Sequence, residues 1–253
     1  MGTYVITGGA SGIGAAIKDQ LEAQGNEVLV VDLRDADITA NLAMPEGRRE
    51  AAAAIREATQ GGLAGLICSA GVGSHIPDRA LITGVNYFGA VELVEALRDM
   101  LVANKASVLL VSSNSAPMPT NSGFIDALLA GDESAAAAIA AEMESQPVYS
   151  GTKLALTRWM RRSTQAYAVE GVRMNAIAPG YTRTPLSLAV EDDPAYGEAI
   201  KQFIASIPVG RPGLPEDMAN AASFLLSDKA SFICGAMLFV DGGHDAMMRP
   251  DSF

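Results

Sequence analysis

Histidine, cysteine and tryptophan are scarce in this chain, with two, two and one among 253 residues. His75 and His244 stand apart from each other and at no ligand spacing with cysteines or carboxylates, so the sequence offers no dedicated metal site. Cys68 and Cys234 sit in apolar runs that read as central strands, where a free thiol behaves as a small hydrophobe. Basic residues are outnumbered, 18 Lys and Arg against 29 Asp and Glu, for a net charge of −11. Nucleic acid is excluded as a partner, because binding phosphates takes clustered cations. The acidic excess serves solubility. Long apolar runs are missing as well: the longest uncharged stretch, residues 106–125, is broken by Asn114, Pro117, Pro119 and Asn121 and would not span a bilayer. Met1 leads straight into Tyr4-Val5-Ile6 without a basic region or cleavage site, so we expect no export signal and a cytoplasmic protein. No Pro/Gly/Ser-rich linker or shift of composition divides the chain, and we expect one domain over residues 1–253.

What the sequence does have is alternation. Apolar runs at 3–7, 27–32, 63–69, 107–112, 173–178 and 237–240 read as strands, separated by longer helical stretches. Val28-Leu29-Val30-Val31 and Val108-Leu109-Leu110-Val111 are apolar on successive residues, as in strands covered on both faces. The fold class that follows is α/β, a Rossmann-type doubly wound parallel sheet. Helices are expected over 13–24, 48–60 and 148–170, each closed by a glycine, Gly25, Gly61 or Gly171. Residues 114–148 differ from the rest: they hold no Lys or Arg, five acids and an alanine-rich run. They read as two short helices inserted before the helix of Tyr149.

The first strand runs into Thr7-Gly8-Gly9-Ala10-Ser11-Gly12-Ile13-Gly14 and then a helix. A glycine pattern alone also describes a tight turn. Here the strand before it, the helix after it and a carboxylate, Asp32, closing the second strand agree on a dinucleotide cradle, in which backbone N–H groups and the helix dipole meet a pyrophosphate. Asp32 would accept hydrogen bonds from the adenosine ribose hydroxyls and repel a 2′-phosphate. Residues 7–14 carry no Lys or Arg, and Arg34 is the nearby cation, so NAD (NADH) is expected over NADP.

Tyr149 and Lys153 lie four apart in an expected helix and share a face. Free tyrosine titrates near pH ~10, and use as an acid and base near neutrality asks for about 4 kcal/mol of extra stabilisation of the phenolate. Burial opposes that, whereas a neighbouring cation favours it, and Lys153 is the expected cation. The strand ending in Ser112-Ser113 brings a hydroxyl to the carboxyl edge of the sheet, where open α/β folds bind ligands.

With these residues assembled, the chain resembles the short-chain dehydrogenase/reductase family over nearly its whole length. The resemblance rests on Thr7-Gly-x-x-x-Gly12-x-Gly14, Asp32, Ser69-Ala70-Gly71 in place of the usual Asn-Ala-Gly, Asn86, Ser113, Tyr149 with Lys153, and Pro179-Gly180-Tyr181-Thr182-Arg183-Thr184. It implies a catalytic tetrad: Ser113 positions the substrate oxygen, Tyr149 exchanges the proton, Lys153 tunes the tyrosine and holds the nicotinamide ribose, and Asn86 holds a water in a proton relay. It assigns to the cofactor Gly8, Ser11, Gly12, Ile13 and Gly14, then Asp32, Leu33, Asn41 and Leu42, then Ser69, Ala70 and Gly71, with Tyr149, Lys153, Pro179, Gly180, Thr182 and Thr184 at the nicotinamide end. Within the family the likeness is to the bacterial 3α-hydroxysteroid dehydrogenase/carbonyl reductase branch. It is carried by Val85-Asn86-Tyr87-Phe88-Gly89-Ala90, by the thirty-five residues between Ser113 and Tyr149, by Asp193-Pro194-x-Tyr196-Gly197-Glu198 and by the tail Asp241-Gly242-Gly243-x-Asp245-Ala246-x-Met248-Arg249-Pro250. That branch implies oxidation or reduction at a secondary alcohol or ketone of a lipophilic, steroid-like molecule, and a homo-oligomer in which the insert favours a dimer. Residues 181–208 would form the substrate lid, with Pro185, Leu186, Leu188, Val190, Tyr196, Phe203 and Ile204 as its apolar stock. The alternatives are a dehydrogenase of a smaller alicyclic or terpenoid alcohol, and a dinucleotide-binding regulator without turnover.

Overall fold

Side chains that point to opposite faces of a strand on alternate residues must all be apolar if helices cover both faces, and the central strands obey this. In the computed structural model, which describes residues 2–60, 62–185, 187, 188 and 197–252, seven parallel strands form one sheet. They are β1 (Thr3–Thr7), β2 (Glu27–Asp32), β3 (Ile38–Thr39), β4 (Gly65–Cys68), β5 (Ser107–Val111), β6 (Arg173–Pro179) and β7 (Met237–Val240), in spatial order β3-β2-β1-β4-β5-β6-β7. One face receives Ile6, Ile67, Leu109 and Ile177 and is covered by α1 (Gly12–Ala23) and α10 (Pro215–Leu226), with Ile17, Leu21, Met218 and Leu225 packed between. The other receives Val5, Leu66, Val108, Leu110 and Met174 beneath α2 (Pro45–Thr59), α4 (Gly89–Ala96) and α8 (Ser145–Ala168). Each fully buried Leu or Ile in these layers contributes roughly 1.5–3 kcal/mol.

The strand order reverses at β1, so β2 and β4 leave it on opposite sides and a crevice opens between the carboxyl ends of β1 and β4. A short helix α3 (Arg79–Thr83), a single wide π turn over Gly84–Phe88, and α5 (Arg98–Ala103) complete the β4–β5 connection. The expected insert is there as α6 (Ser122–Leu129) and α7 (Glu133–Ala141), capped by Asn121 and Asp132 through their side chains. It comes close to α8 because Gly151 has no side chain: a Cβ there would sit 2.8 Å from Phe124 Cδ1 and 2.8 Å from Thr120 Oγ1. Beyond β6 follow α9 (Gly197–Ser206), α10 and α11 (His244–Met248).

Three readings of the sequence need correction. Cys234 is exposed and precedes β7, because Gly235 at φ +76° turns the chain before the strand begins at Met237. The left-handed residue that ends α2 is Gln60, at φ 49°, while Gly61 lies outside the described residues. The two-residue strand β3 was not expected, being too short to show a period. Leu186, Val190, Asp193, Pro194 and Tyr196 of the expected lid also fall outside the described residues. Among the described residues no helix is long and apolar enough to cross a membrane.

Candidate active site

The turn from β1 into α1 is built on glycines that nothing larger could replace. Gly8 has φ +70°, and a Cβ there would lie 2.6 Å from Ala70 Cα; one on Gly14 would lie 2.0 Å from the Gly8 carbonyl oxygen. Gly12, at φ +56°, faces Thr184 closely: a Cβ there would lie 3.3 Å from its Cγ2, in a backbone conformation that already disfavours a side chain. Ser11, the residue before α1, does not spend its side chain on capping the helix. A cradle too narrow for a Cβ, set at a helix N-terminus, fits a pyrophosphate. Asp32, at the end of β2, accepts from Ala10 N–H at 3.1 Å and Leu33 N–H at 2.7 Å, which fixes a carboxylate beside the cradle.

A cavity of about 910 Å³ runs from this turn across the carboxyl edge of the sheet. Among the expected cofactor residues its wall includes Gly8, Ser11, Gly12, Ile13, Gly14, Ser69, Gly71, Pro179, Gly180, Thr182 and Thr184, and among the expected catalytic ones Ser113, Tyr149 and Lys153. Asp32, Leu33, Asn41, Leu42, Ala70 and Asn86 are not on that wall. The Leu42 side chain belongs to the core, Asn41 turns its Oδ1 onto Ala43 N–H at 3.1 Å, and Leu33 is exposed. Ala70 donates its N–H to Thr7 Oγ1 at 3.1 Å, which ties β4 to the cradle.

At the reacting end, Ser113 and Tyr149 both line the cavity. Burial pushes the Tyr149 phenol above its ordinary value, and the Ser113 hydroxyl offsets this only in part. The Lys153 ammonium stands 5.8 Å from the Tyr149 ring centroid and donates to the Val111 carbonyl at 2.9 Å. Burial also pulls Lys153 down, to about 8, which leaves it charged at neutral pH. Its backbone is anchored where Ser112 Oγ donates to the Lys153 carbonyl at 3.2 Å and Thr157 Oγ1 donates to the same oxygen at 3.0 Å.

Asn86 lies in the π turn, a helix irregularity frequent at functional sites. Its Oδ1 accepts from Val72 N–H at 2.8 Å and its Nδ2 donates to the Val72 carbonyl at 3.0 Å, so the side chain pins the loop after β4. A Cβ on the neighbouring Gly71 would lie 3.2 Å from Asn86 Oδ1 and 3.5 Å from Lys153 Nζ, which places the loop, the asparagine and the lysine together.

Sequence reasoning missed part of the cavity. Met118 comes from the loop before α6, Gln146 from the first turn of α8, and His244, Asp245, Met248 and Arg249 from α11 and the residue after it. Asn114 ties that last helix to the site, its Nδ2 lying 3.4 Å from Asp241 Oδ2 and 3.4 Å from His244 Nδ1. Ser115 also lines the cavity, and the Ser113-Asn114-Ser115 spacing after β5 is the sign in the sequence that could have marked it. Of the expected lid, Pro185 and Phe203 line the cavity with Tyr181 and Ile200; Leu188 is exposed, and His75 also lines the cavity.

Comparison with known proteins agrees with this architecture. A family model described as Enoyl-(Acyl carrier protein) reductase matches residues 8–245. Over all of both chains, the sequence is 41% identical to 3-alpha-hydroxysteroid dehydrogenase/carbonyl reductase of Comamonas testosteroni. It is 32% identical to cis-4-hydroxycyclohexanecarboxylate dehydrogenase of Sinomonas cyclohexanicum over 96% of each chain. The crystal structure of the 3-alpha-hydroxysteroid dehydrogenase from Pseudomonas sp. B-0831 complexed with NADH superposes with a TM-score of 0.93 at 41% identity, covering 99% of this chain and all of that one. The chain belongs to the short-chain dehydrogenase/reductase family. It is an oxidoreductase of alcohols and ketones that works with a nicotinamide dinucleotide.

Proposed function

We propose that this enzyme uses NAD to interconvert a secondary alcohol and a ketone on a hydroxysteroid or similarly lipophilic substrate. The observation that carries the reading is one cavity whose wall joins the glycine cradle to Ser113, Tyr149 and Lys153 and continues into apolar surface from Met118, Tyr181, Ile200, Phe203 and Met248. The cradle, with Asp32 beside it, would hold the dinucleotide, and Pro179, Gly180, Thr182 and Thr184 its nicotinamide end. When bound, the nicotinamide supplies the acceptor or donor of the hydride. Ser113 holds the substrate oxygen, and Tyr149 takes the alcohol proton in oxidation and returns it in reduction. Lys153, charged and fixed on Val111, supplies a positive field behind the tyrosine. Asn86 holds the loop after β4 through Val72 with one donor and one acceptor, which leaves its second N–H and lone pair for a water in the proton relay.

NAD over NADP is supported by a carboxylate at position 32 and by the absence of Lys or Arg from residues 7–14. The steroid-like class is supported by the wall of the cavity and by the relatives named hydroxysteroid dehydrogenase. A dimer and a cytoplasmic place belong to the same reading, the first resting on the insert laid against α8 and the second on two free cysteines. The test is NAD and NADP reduction at 340 nm against 3α- and 3β-hydroxysteroids, cyclic terpene alcohols and simple secondary alcohols. Preferred turnover of a hydroxysteroid with NAD is expected; turnover confined to small alcohols would discard the steroid assignment.

A further inference from the structure

We propose that Ser115 is a positioning residue for proton transfer, one that fixes Ser113 as a hydrogen-bond donor, to Tyr149 before substrate binds and to the substrate oxygen once it has. The inference rests on the reading of the site given above and adds a residue to it. Ser113 and Ser115 are both buried, in the turn that leaves β5, and both reach the cavity wall. Ser115 donates twice to the same atom: its backbone N–H to Ser113 Oγ at 3.1 Å and its hydroxyl to Ser113 Oγ at 2.9 Å. A serine oxygen has two lone pairs and one proton. With both lone pairs filled from Ser115, Ser113 can only give its proton away.

The direction of that proton matters for Tyr149. A hydroxyl that donates to the phenol oxygen favours the phenolate, whereas one that accepts the phenol proton favours the neutral ring. Ser112, next in sequence, does not compete for the role, because its hydroxyl is turned onto the Lys153 carbonyl and Thr157 Oγ1. The titratable groups that share the cavity with Tyr149 are Lys153 on α8, His75 on the loop after β4, Tyr181 on the loop after β6, His244 and Asp245 on α11, and Arg249 just past it. None of them takes up the lone pairs of Ser113 Oγ, which are filled from Ser115.

In the Ser115→Ala variant one lone pair of Ser113 is released, and Ser113 becomes free to accept from the Tyr149 hydroxyl. The titration of Tyr149 is read without substrate, as the ultraviolet difference between each protein and its Tyr149→Phe counterpart, for wild type, Ser115→Ala, Ser115→Cys and Ser113→Ala. NADH binding by fluorescence and the kinetics of alcohol oxidation by NAD accompany it. In Ser115→Ala, Tyr149 is expected to titrate about half a unit to one unit higher than in wild type. There kcat falls about fivefold, the loss of roughly one hydrogen bond, with KM and NADH binding little changed. Ser115→Cys, a weak donor of similar shape, falls between and carries the test should the alanine variant fail to fold. An unmoved titration in Ser115→Ala, or a loss of NADH binding without a shift, overturns the proposal. Wild-type turnover by Ser113→Ala would instead overturn the reading of the site on which it rests.

Discussion

Lys153 shows how a single side chain can serve the chemistry at a cost to the fold. Its ammonium is buried with one carbonyl partner, Val111, and burial lowers it to about 8 against an ordinary value of 10.5. Between those two values the unfolded chain binds the extra proton, so this residue's contribution to stability rises with pH through that window and is most unfavourable below it. Lys153→Met should therefore abolish turnover, yet its stability relative to wild type should be higher at pH 7 than at pH 10, by about 2–3 kcal/mol. Urea unfolding at the two pH values checks this, and a difference independent of pH would contradict it. Asp32 works through charge. Replacing it by Asn keeps an acceptor for Ala10 N–H while removing the repulsion of a 2′-phosphate, roughly 1 kcal/mol per unit charge at ~4 Å in water. Asp32→Asn should shift the NAD/NADP ratio of kcat/KM by about tenfold toward NADP, and an unchanged ratio would remove Asp32 from cofactor choice. The pairing of Tyr149 with Lys153 was readable from i,i+4 spacing, but the direction of the lysine was not. Nothing in the sequence says that the Val111 carbonyl at the end of β5 will claim the ammonium, because that depends on how two distant elements pack.

At the scale of elements, the β1–α1 turn tolerates little change. A methyl group at Gly14 meets the Gly8 carbonyl oxygen at 2.0 Å, and backbone rather than a flexible side chain would have to move. Gly14→Ala is expected to lower the unfolding free energy by about 2–3 kcal/mol and to weaken NADH binding, measured by urea unfolding and fluorescence titration. Strands that are apolar on both faces and helices that end at Gly25 or Gly171 could be read directly, because burial on two sides and a left-handed cap each leave a mark on the sequence. The segment between β4 and β5 could not: α3, the π turn and α4 follow one another without a cap or proline to divide them, and the π turn is fixed by Asn86 reaching back to Val72. The insert helices were legible from composition. Their closeness to the turn of Tyr149 was not, since it hangs on one missing side chain at Gly151.

For the molecule as a whole, parallel strands deliver every loop that matters to one edge, and function follows from what gathers there. The cradle comes from the first fourteen residues, the tetrad from residues 86 to 153, and α11 from the far end of the chain, yet most of them border one cavity. The sequence named the cradle and the reacting groups because their chemistry restricts residue type. It left the substrate wall mostly open, because apolar and tail residues such as Met118, His244 and Met248 look the same in a core or on a surface as in a site. The central claim is that the cavity performs proton-coupled redox chemistry on a carbinol carbon through Tyr149. The most direct measurement is NAD reduction at 340 nm with a 3α-hydroxysteroid and with the secondary alcohols, comparing wild type with Tyr149→Phe while NADH binding is followed by fluorescence. We predict that the variant binds NADH as wild type does and loses turnover by about 10²–10⁴-fold on whichever alcohol the wild type oxidises. Turnover by Tyr149→Phe equal to wild type, with NADH binding intact, would contradict the account.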